Sequence, residues 1–186
     1  MGTNYQFYPT RHLVHPSKSV LESSAQFSPC RRYRYALFRR LSTGSGTIAF
    51  IGLNPSTADE THNDPTVRRC IGFAADWNYE RFYMLNLFAF RATEPQEMKQ
   101  QLEPTGDPLN LGVILEVAAL CDELVLAWGT HGTWLERDEF VLDQLRQAGA
   151  GRKLSCLGRN QSGGPKHPLY VRRDSQRIWF STGRSD

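Results

Sequence analysis

The stretch Ile48-Ala49-Phe50-Ile51-Gly52-Leu53-Asn54-Pro55-Ser56-Thr57-Ala58-Asp59 constrains the fold more than any other. It begins as an apolar run and breaks into Gly, Asn, Pro and short hydroxyl and carboxylate side chains. An apolar run of that length bounded by turn residues reads as a buried strand. Its polar groups then lie just past the strand's C-terminal end, the edge at which an open α/β sheet binds ligands. Three later stretches repeat the pattern: Phe82 to Thr93, Leu124 to Gly132, and Leu154 through His167-Pro168-Leu169-Tyr170. Four strand ends are therefore expected to converge on one pocket.

The segments between these strands read as helices. Asp64-Pro65 supplies an N-cap and a first-turn proline, and the helix should run to about Asp76. Thr93 can cap a short helix from Glu94 towards Leu102. Asp107-Pro108 repeats the start signal, and Leu111, Ile114, Leu115 and Ala118 follow at helical spacing. Arg137 to Ala148 closes at Gly149, a natural C-cap. Strands alternating with helices imply a three-layer α/β/α fold around a mostly parallel sheet. At the front, Arg31 to Leu41 alternates basic with aromatic or aliphatic residues, as a strand with one wet face does. Ser42 to Gly46 is a turn, so this strand and Thr47 to Leu53 should form an N-terminal hairpin. Arg177 to Phe180 can add an edge strand, and Gly158 to Lys166 reads as a flexible basic loop. Residues 1–28 mix Ser, Pro, His and Gln and are expected to form a loosely ordered arm, with one α/β domain over residues 29–186.

Composition narrows the class. A chain of 186 residues with 40% hydrophobic content can bury a core as one domain. No apolar run nears the roughly 20 residues that cross a bilayer, and Met1 to Ser28 lacks the apolar core of a signal peptide. A cytoplasmic protein with no membrane partner is expected. Cys30, Cys70, Cys121 and Cys156 are too scattered for a zinc knuckle or redox pair and read as free thiols. The net charge of +3 is unevenly spread. Arginines cluster at 31–40 and basic residues again at 152–177, either as a face for phosphates or as ordinary solvated side chains.

Candidate chemistry sits at the four strand ends. In Gly52-Leu53-Asn54-Pro55-Ser56 the glycine allows close approach and the proline stiffens the turn. Asn54 either projects an amide into the pocket or, with Ser56, caps the turn. Asn86 lies inside the apolar strand Tyr83-Met84-Leu85-Asn86-Leu87-Phe88 and needs hydrogen-bond partners there. Its amide offers a donor beside an acceptor, matching a nucleobase edge, or it bonds a neighbouring loop. Arg91 just beyond could pair with a phosphate or carboxylate. Trp128-Gly129-Thr130-His131-Gly132 places two glycines at a strand end, with His131 as a contact or a loop residue. Gly163-Gly164-Pro165-Lys166-His167-Pro168 shapes a loop around one histidine, which could donate to developing negative charge on a leaving group or sit satisfied at the surface. A metal site from Asp59, His62 and Asp64 matches no strong spacing, and Asp64 already serves as N-cap. No metal and no cofactor are expected.

Together these segments resemble the domain-of-unknown-function family 1643, found in bacteria and phage. The matching motifs are Leu53 to Asp59, Asp64 to Cys70, Asn86 to Thr93, Ala127 to Gly132 and Lys166 to Tyr170, within about residues 48–171. The motif order is also distantly similar to the uracil-DNA glycosylase superfamily, which implies that superfamily's fold. There a Gly-x-(Asp/Asn)-Pro turn positions water, an Asn after a strand reads the base, and a late His-Pro loop stabilises the departing base. Gly52-Leu53-Asn54-Pro55, Leu85-Asn86-Leu87 and His167-Pro168 match these in turn. The late loop reads His-Pro-Leu-Tyr instead of the superfamily's His-Pro-Ser, and the cysteines lack the spacing of its iron–sulfur branches.

What the resemblance implies is a hydrolase cleaving an N-glycosidic bond of a base or nucleotide, a modified base in DNA included. Asn54 and His167 would be catalytic. Gly52, Pro55, Ser56, Asn86, Arg91, Gly129, His131 and Lys166 would bind substrate. The alternative is a module that binds a nucleotide or nucleic acid in the same pocket without cleaving it.

Overall fold

The computed structural model describes residues 20–181. Strands β1 (Val20–Phe27), β2 (Arg34–Leu41), β3 (Thr47–Gly52), β4 (Arg81–Asn86), β5 (Glu123–Leu126), β6 (Leu154–Cys156) and β7 (Ile178–Trp179) form one sheet. Its order is β1-β2-β4-β3-β5-β6-β7. Helices α1 (Pro65–Asp76), α2 (Pro95–Lys99), α3 (Leu109–Leu120) and α4 (Arg137–Gln147) fall between the strands. The protein is thus a mixed α/β fold with a seven-stranded sheet. No helix of the described residues is long and apolar enough to cross a membrane.

β3 is buried along its whole length and anchors both cores. Ile48 and Phe50 face the cluster built on α1 through Val67, Cys70, Phe73 and Ala74. Ala49 and Ile51 face the cluster built on α3 and α4 through Val113, Ile114, Val141 and Leu145. Successive strand side chains point to opposite faces, so one apolar run serves both helix layers. α1 starts as its sequence specifies, with Val67 N–H donating to Asp64 at 2.8 Å and Pro65 in the first turn.

The sheet differs from the mostly parallel one expected. β3 is parallel to β4 and β5, and β5 to β6. The ladders β1–β2, β2–β4 and β6–β7 are antiparallel, so β2 and the edge strand β7 run against the centre while the edge strand β1 runs with it. The expected hairpin of β2 with β3 is also absent. β4 lies between them, pairing Leu37 with Met84 on one side and Ile51 with Leu85 on the other. β3 is apolar on both faces and takes parallel partners on both sides, which places β4 beside it. β2 instead pairs with β1, so residues 20–27 of the expected arm are an edge strand; residues 1–19 lie outside the described residues.

β2 is not the half-wet strand its alternation suggested. Tyr35, Ala36 and Leu37 are all buried, and so are Arg34 and Arg39. The segment 158–166 is tied into a small hairpin rather than left loose. Asn160 N–H donates to Gly164 O, Gly163 N–H to Asn160 O and Lys166 N–H to Gly158 O.

Candidate ligand cleft at the strand ends

The chain leaves β3 through α1 to reach β4 on one side, then returns through α3 to β5 on the other. The direction reverses at the C-terminal end of β3, and such a switch point opens a crevice in an α/β sheet. A cleft of about 710 Å³ lies there. Gly52, Asn54, Ser56, Asn86, Gly129, His131, Lys166 and His167 all line it, bringing the four strand ends together. Pro55 and Arg91 do not. Pro55 is buried behind the turn, where its carbonyl accepts from Ala92 N–H. Arg91 donates to the carbonyls of Ser56 and Arg31 and lies over the Phe27 ring, so it ties these loops together.

Asn54 is held by its amide nitrogen. Nδ2 donates to Ala92 O at 2.8 Å and Pro55 O at 3.1 Å. Two carbonyls can only accept, so the amide orientation is set and Oδ1 is the acceptor left over. Oδ1 has no partner among the described residues.

Asn86 ends β4 directly opposite Gly52 in the β3 ladder. Its Oδ1 accepts from Arg34 Nη2 at 3.1 Å. The expected donor-and-acceptor edge is therefore half used, and Nδ2 is the group without a partner among the described residues. Gly52 makes this placement feasible. A Cβ there would stand 2.9 Å from Asn86 Nδ2 and 2.7 Å from Met84 Cε. Behind the strand end, Asn110 Nδ2 donates to the carbonyls of Asn86 and Leu87, and Arg137, paired with Asp107, donates to Leu87 O.

Arg34 is a cleft residue that sequence reading missed, as is Asn160, whose buried Nδ2 has no partner. The Arg34 guanidinium donates to Ala58 O and Asn86 Oδ1, and its buried Nε has no partner. Among the described residues no carboxylate is within ion-pair distance of it. Burial pulls its pKa down to about 10, with Asp64 acting against the shift, so it is charged at neutral pH. The detectable signal was the lack of alternation in Tyr35-Ala36-Leu37, which buries whichever face the neighbouring arginine takes. Arg39 is equally buried but is used up, donating to Asn63 Oδ1 and to the carbonyls of Ser24, Phe38, Asp59 and His62.

His167 and the Trp128 segment fit one another. Gly129 has φ +72° and a Cβ there would come 3.2 Å from His167 Cβ. At Gly132 a Cβ would run into the indole of buried Trp128. His167 Nδ1 accepts from Leu169 N–H at 3.4 Å, which leaves the proton of the neutral ring on Nε2. Burial lowers the His167 pKa, opposed by Asp64, so the ring favours the neutral form. His131 is exposed at the rim beside Lys99 Nζ, and Lys166 is exposed opposite. Ser56 Oγ meets Thr93 Oγ1 at 3.5 Å. Asp59 accepts from Thr61 and His62 in a local turn while Asp64 caps α1, so these acids are occupied structurally.

The fold and cleft define an α/β protein that brings the Asn54 Oδ1 acceptor, the Asn86 Nδ2 donor, the His167 imidazole and the buried Arg34 cation to the C-terminal ends of its parallel strands. The chain belongs to the family described as Protein of unknown function (DUF1643), whose model matches residues 34–169. Neither a curated protein nor a solved structure matches it.

Proposed function

We propose that the cleft binds a nucleobase, free or within a nucleotide or nucleic acid, and cleaves its N-glycosidic bond. The observation that carries this reading is the neutral His167, a cleft-lining ring with its proton on Nε2, held by Leu169 N–H and packed on Gly129. Cleavage of a glycosidic bond leaves negative charge on the base, and a preorganised donor stabilises it as it develops. Asn54 Oδ1 accepts from the water that attacks the sugar, its orientation fixed by two carbonyls. Asn86 Nδ2 donates to an acceptor on the base, and Arg34 behind it strengthens that preference for an electron-rich edge. A base in a duplex enters only after flipping out of the stack.

The motif order shared with the uracil-DNA glycosylase superfamily supports the same reading, including a glycosylase-like arrangement of the fold. One observation favours a second reading, binding without cleavage. Asn54 is an amide and orients water without taking its proton, so catalysis depends on the leaving group departing readily. The test is release of free base from a panel of normal and modified nucleosides and oligonucleotides, read by chromatography. Release by the natural protein, lost in both Asn54→Ala and His167→Ala while each keeps its fold, supports cleavage. Saturable binding weakened by Asn86→Ala, with no product from any substrate, selects the second reading. Absence of any binding sinks both.

A further inference from the structure

A second hollow of about 520 Å³ runs beside the cleft along α1. Arg68, Arg69 and Arg173 line it with Gly72 and Phe73, and no carboxylate does. It meets the cleft at Pro65 and Leu169, which line both.

These arginines differ from four other surface cations. Arg31, Arg40 and Arg172 are each paired with a carboxylate at 3.0 Å or less, and Arg177 is paired with Glu123 at 2.7 Å. Four members of the basic clusters visible in the sequence are thus neutralised by close carboxylates. Arg68 instead donates to the Asn63 carbonyl and Arg69 Nη2 to the Val171 carbonyl, so both keep their full charge. Arg69 Nε is buried without a partner, and Arg173 reaches Asp76 only at 4.0 Å. A concave wall carrying two cations without a carboxylate partner and a third only weakly paired attracts a polyanion. Its volume exceeds what one phosphate needs, and it adjoins the cleft at Pro65 and Leu169.

We propose that this hollow carries the sugar–phosphate backbone of a nucleic-acid strand. The proposal extends the nucleobase reading of the cleft, from which it takes the class of ligand. It means that the substrate is a polymer rather than a free nucleotide.

The experiment uses Gly72→Glu and Arg173→Gln. A Cβ at Gly72 meets nothing within 4 Å, and α1 gains a better helix former, so the added carboxylate reaches the hollow without disturbing the core. Binding is measured by anisotropy with a short fluorescent single strand across a salt series, and separately with free nucleosides, which lack phosphate. Gly72→Glu is expected to weaken strand binding about tenfold. The slope of log affinity against log salt should flatten by about 0.7 for every phosphate that a variant no longer neutralises. Nucleoside binding should be unchanged in both variants and abolished in Asn86→Ala.

Strand binding equal to that of the natural protein in both variants would overturn the groove and leave the cleft reading standing. Strand binding that depends on Gly72 and Arg173, without nucleoside binding, supports the groove and removes the cleft reading. Binding to anionic phospholipid vesicles with none to strands would overturn the proposal and assign the arginines to a membrane surface.

Discussion

At the N-terminal end of β5, Glu123 is 3% exposed and saturated with partners: Tyr79 Oη at 2.9 Å, Ser155 Oγ, and Arg177 Nε at 2.7 Å. At the opposite end of the sheet, Arg34 is 1% exposed and has two acceptors, no carboxylate and one unpartnered nitrogen. Both ends bury a charge, but only one completes it. A completed network fixes structure, whereas an incomplete one beside a cleft is a place for a ligand's own groups. Asn54 Oδ1 and Asn86 Nδ2, each on a half-satisfied amide, lie at the same incomplete end.

The contrast is sharpest in stability. Glu123→Ala strands Arg177, Tyr79 and Ser155 and is expected to cost about 3 kcal/mol. Arg34→Met removes a charge that no carboxylate pairs but strands the Ala58 and Asn86 oxygens, so its cost should be about 1.5 kcal/mol, half that of Glu123→Ala, while ligand binding falls. Urea midpoints at unchanged m-value measure both. Equal losses would make Arg34 a structural residue and break the comparison.

A smaller effect tests the geometry of the incomplete end. In Gly52→Ala the new methyl meets Met84 Cε, which can yield, and Asn86 Nδ2, which must move. Overpacking of this kind costs about 1 kcal/mol. Displacing the donor should also cut affinity for a nucleoside about tenfold, roughly 1.4 kcal/mol. A variant that loses stability but keeps affinity would show that Asn86 does not meet the ligand.

Much of this end was legible in the sequence because its signals are local. A strand apolar on both faces, a Gly-Asn-Pro break and an Asp-Pro helix start each specify their own conformation, and strand ends in an open sheet gather at one edge. The edges of the sheet were not legible. β1, Val-Leu-Glu-Ser-Ser-Ala-Gln-Phe, owes its conformation to pairing with β2 rather than to an apolar pattern of its own. The alternation of helices and strands specifies the parallel centre but says nothing of strands added without a crossover. Arg34 was hidden because an arginine between two tyrosines looks like the wet side of a strand, and its partners, the Ala58 carbonyl, Asn86 and the β1 ladder at Phe27, are distant in sequence or lie in an unforeseen strand. Arg91 misled for the opposite reason. A cation just past a strand end looked free, yet the loop carbonyls of Ser56 and Arg31 claim it.

The smallest effect concerns His167, where stability and chemistry depend on one titration. Burial holds the folded ring's pKa below the 6.5 of an ordinary imidazole. As pH falls below about 6.5 the unfolded chain takes up a proton that the folded ring still refuses. The unfolded state then binds more protons, so stability declines with falling pH across that window and levels off below the folded pKa. Above it the contribution is fully present. The difference in stability between the natural protein and His167→Gln should therefore shrink on acidification through this range. Turnover or binding that uses the neutral ring should stay flat through neutrality and fall only below the usual histidine range. A proton-NMR titration of the His167 ring checks both, and a pKa at or above 6.5 would mean that the ring is solvated or paired with Asp64 as a cation. In that case His167 would belong with Glu123 among the completed charges.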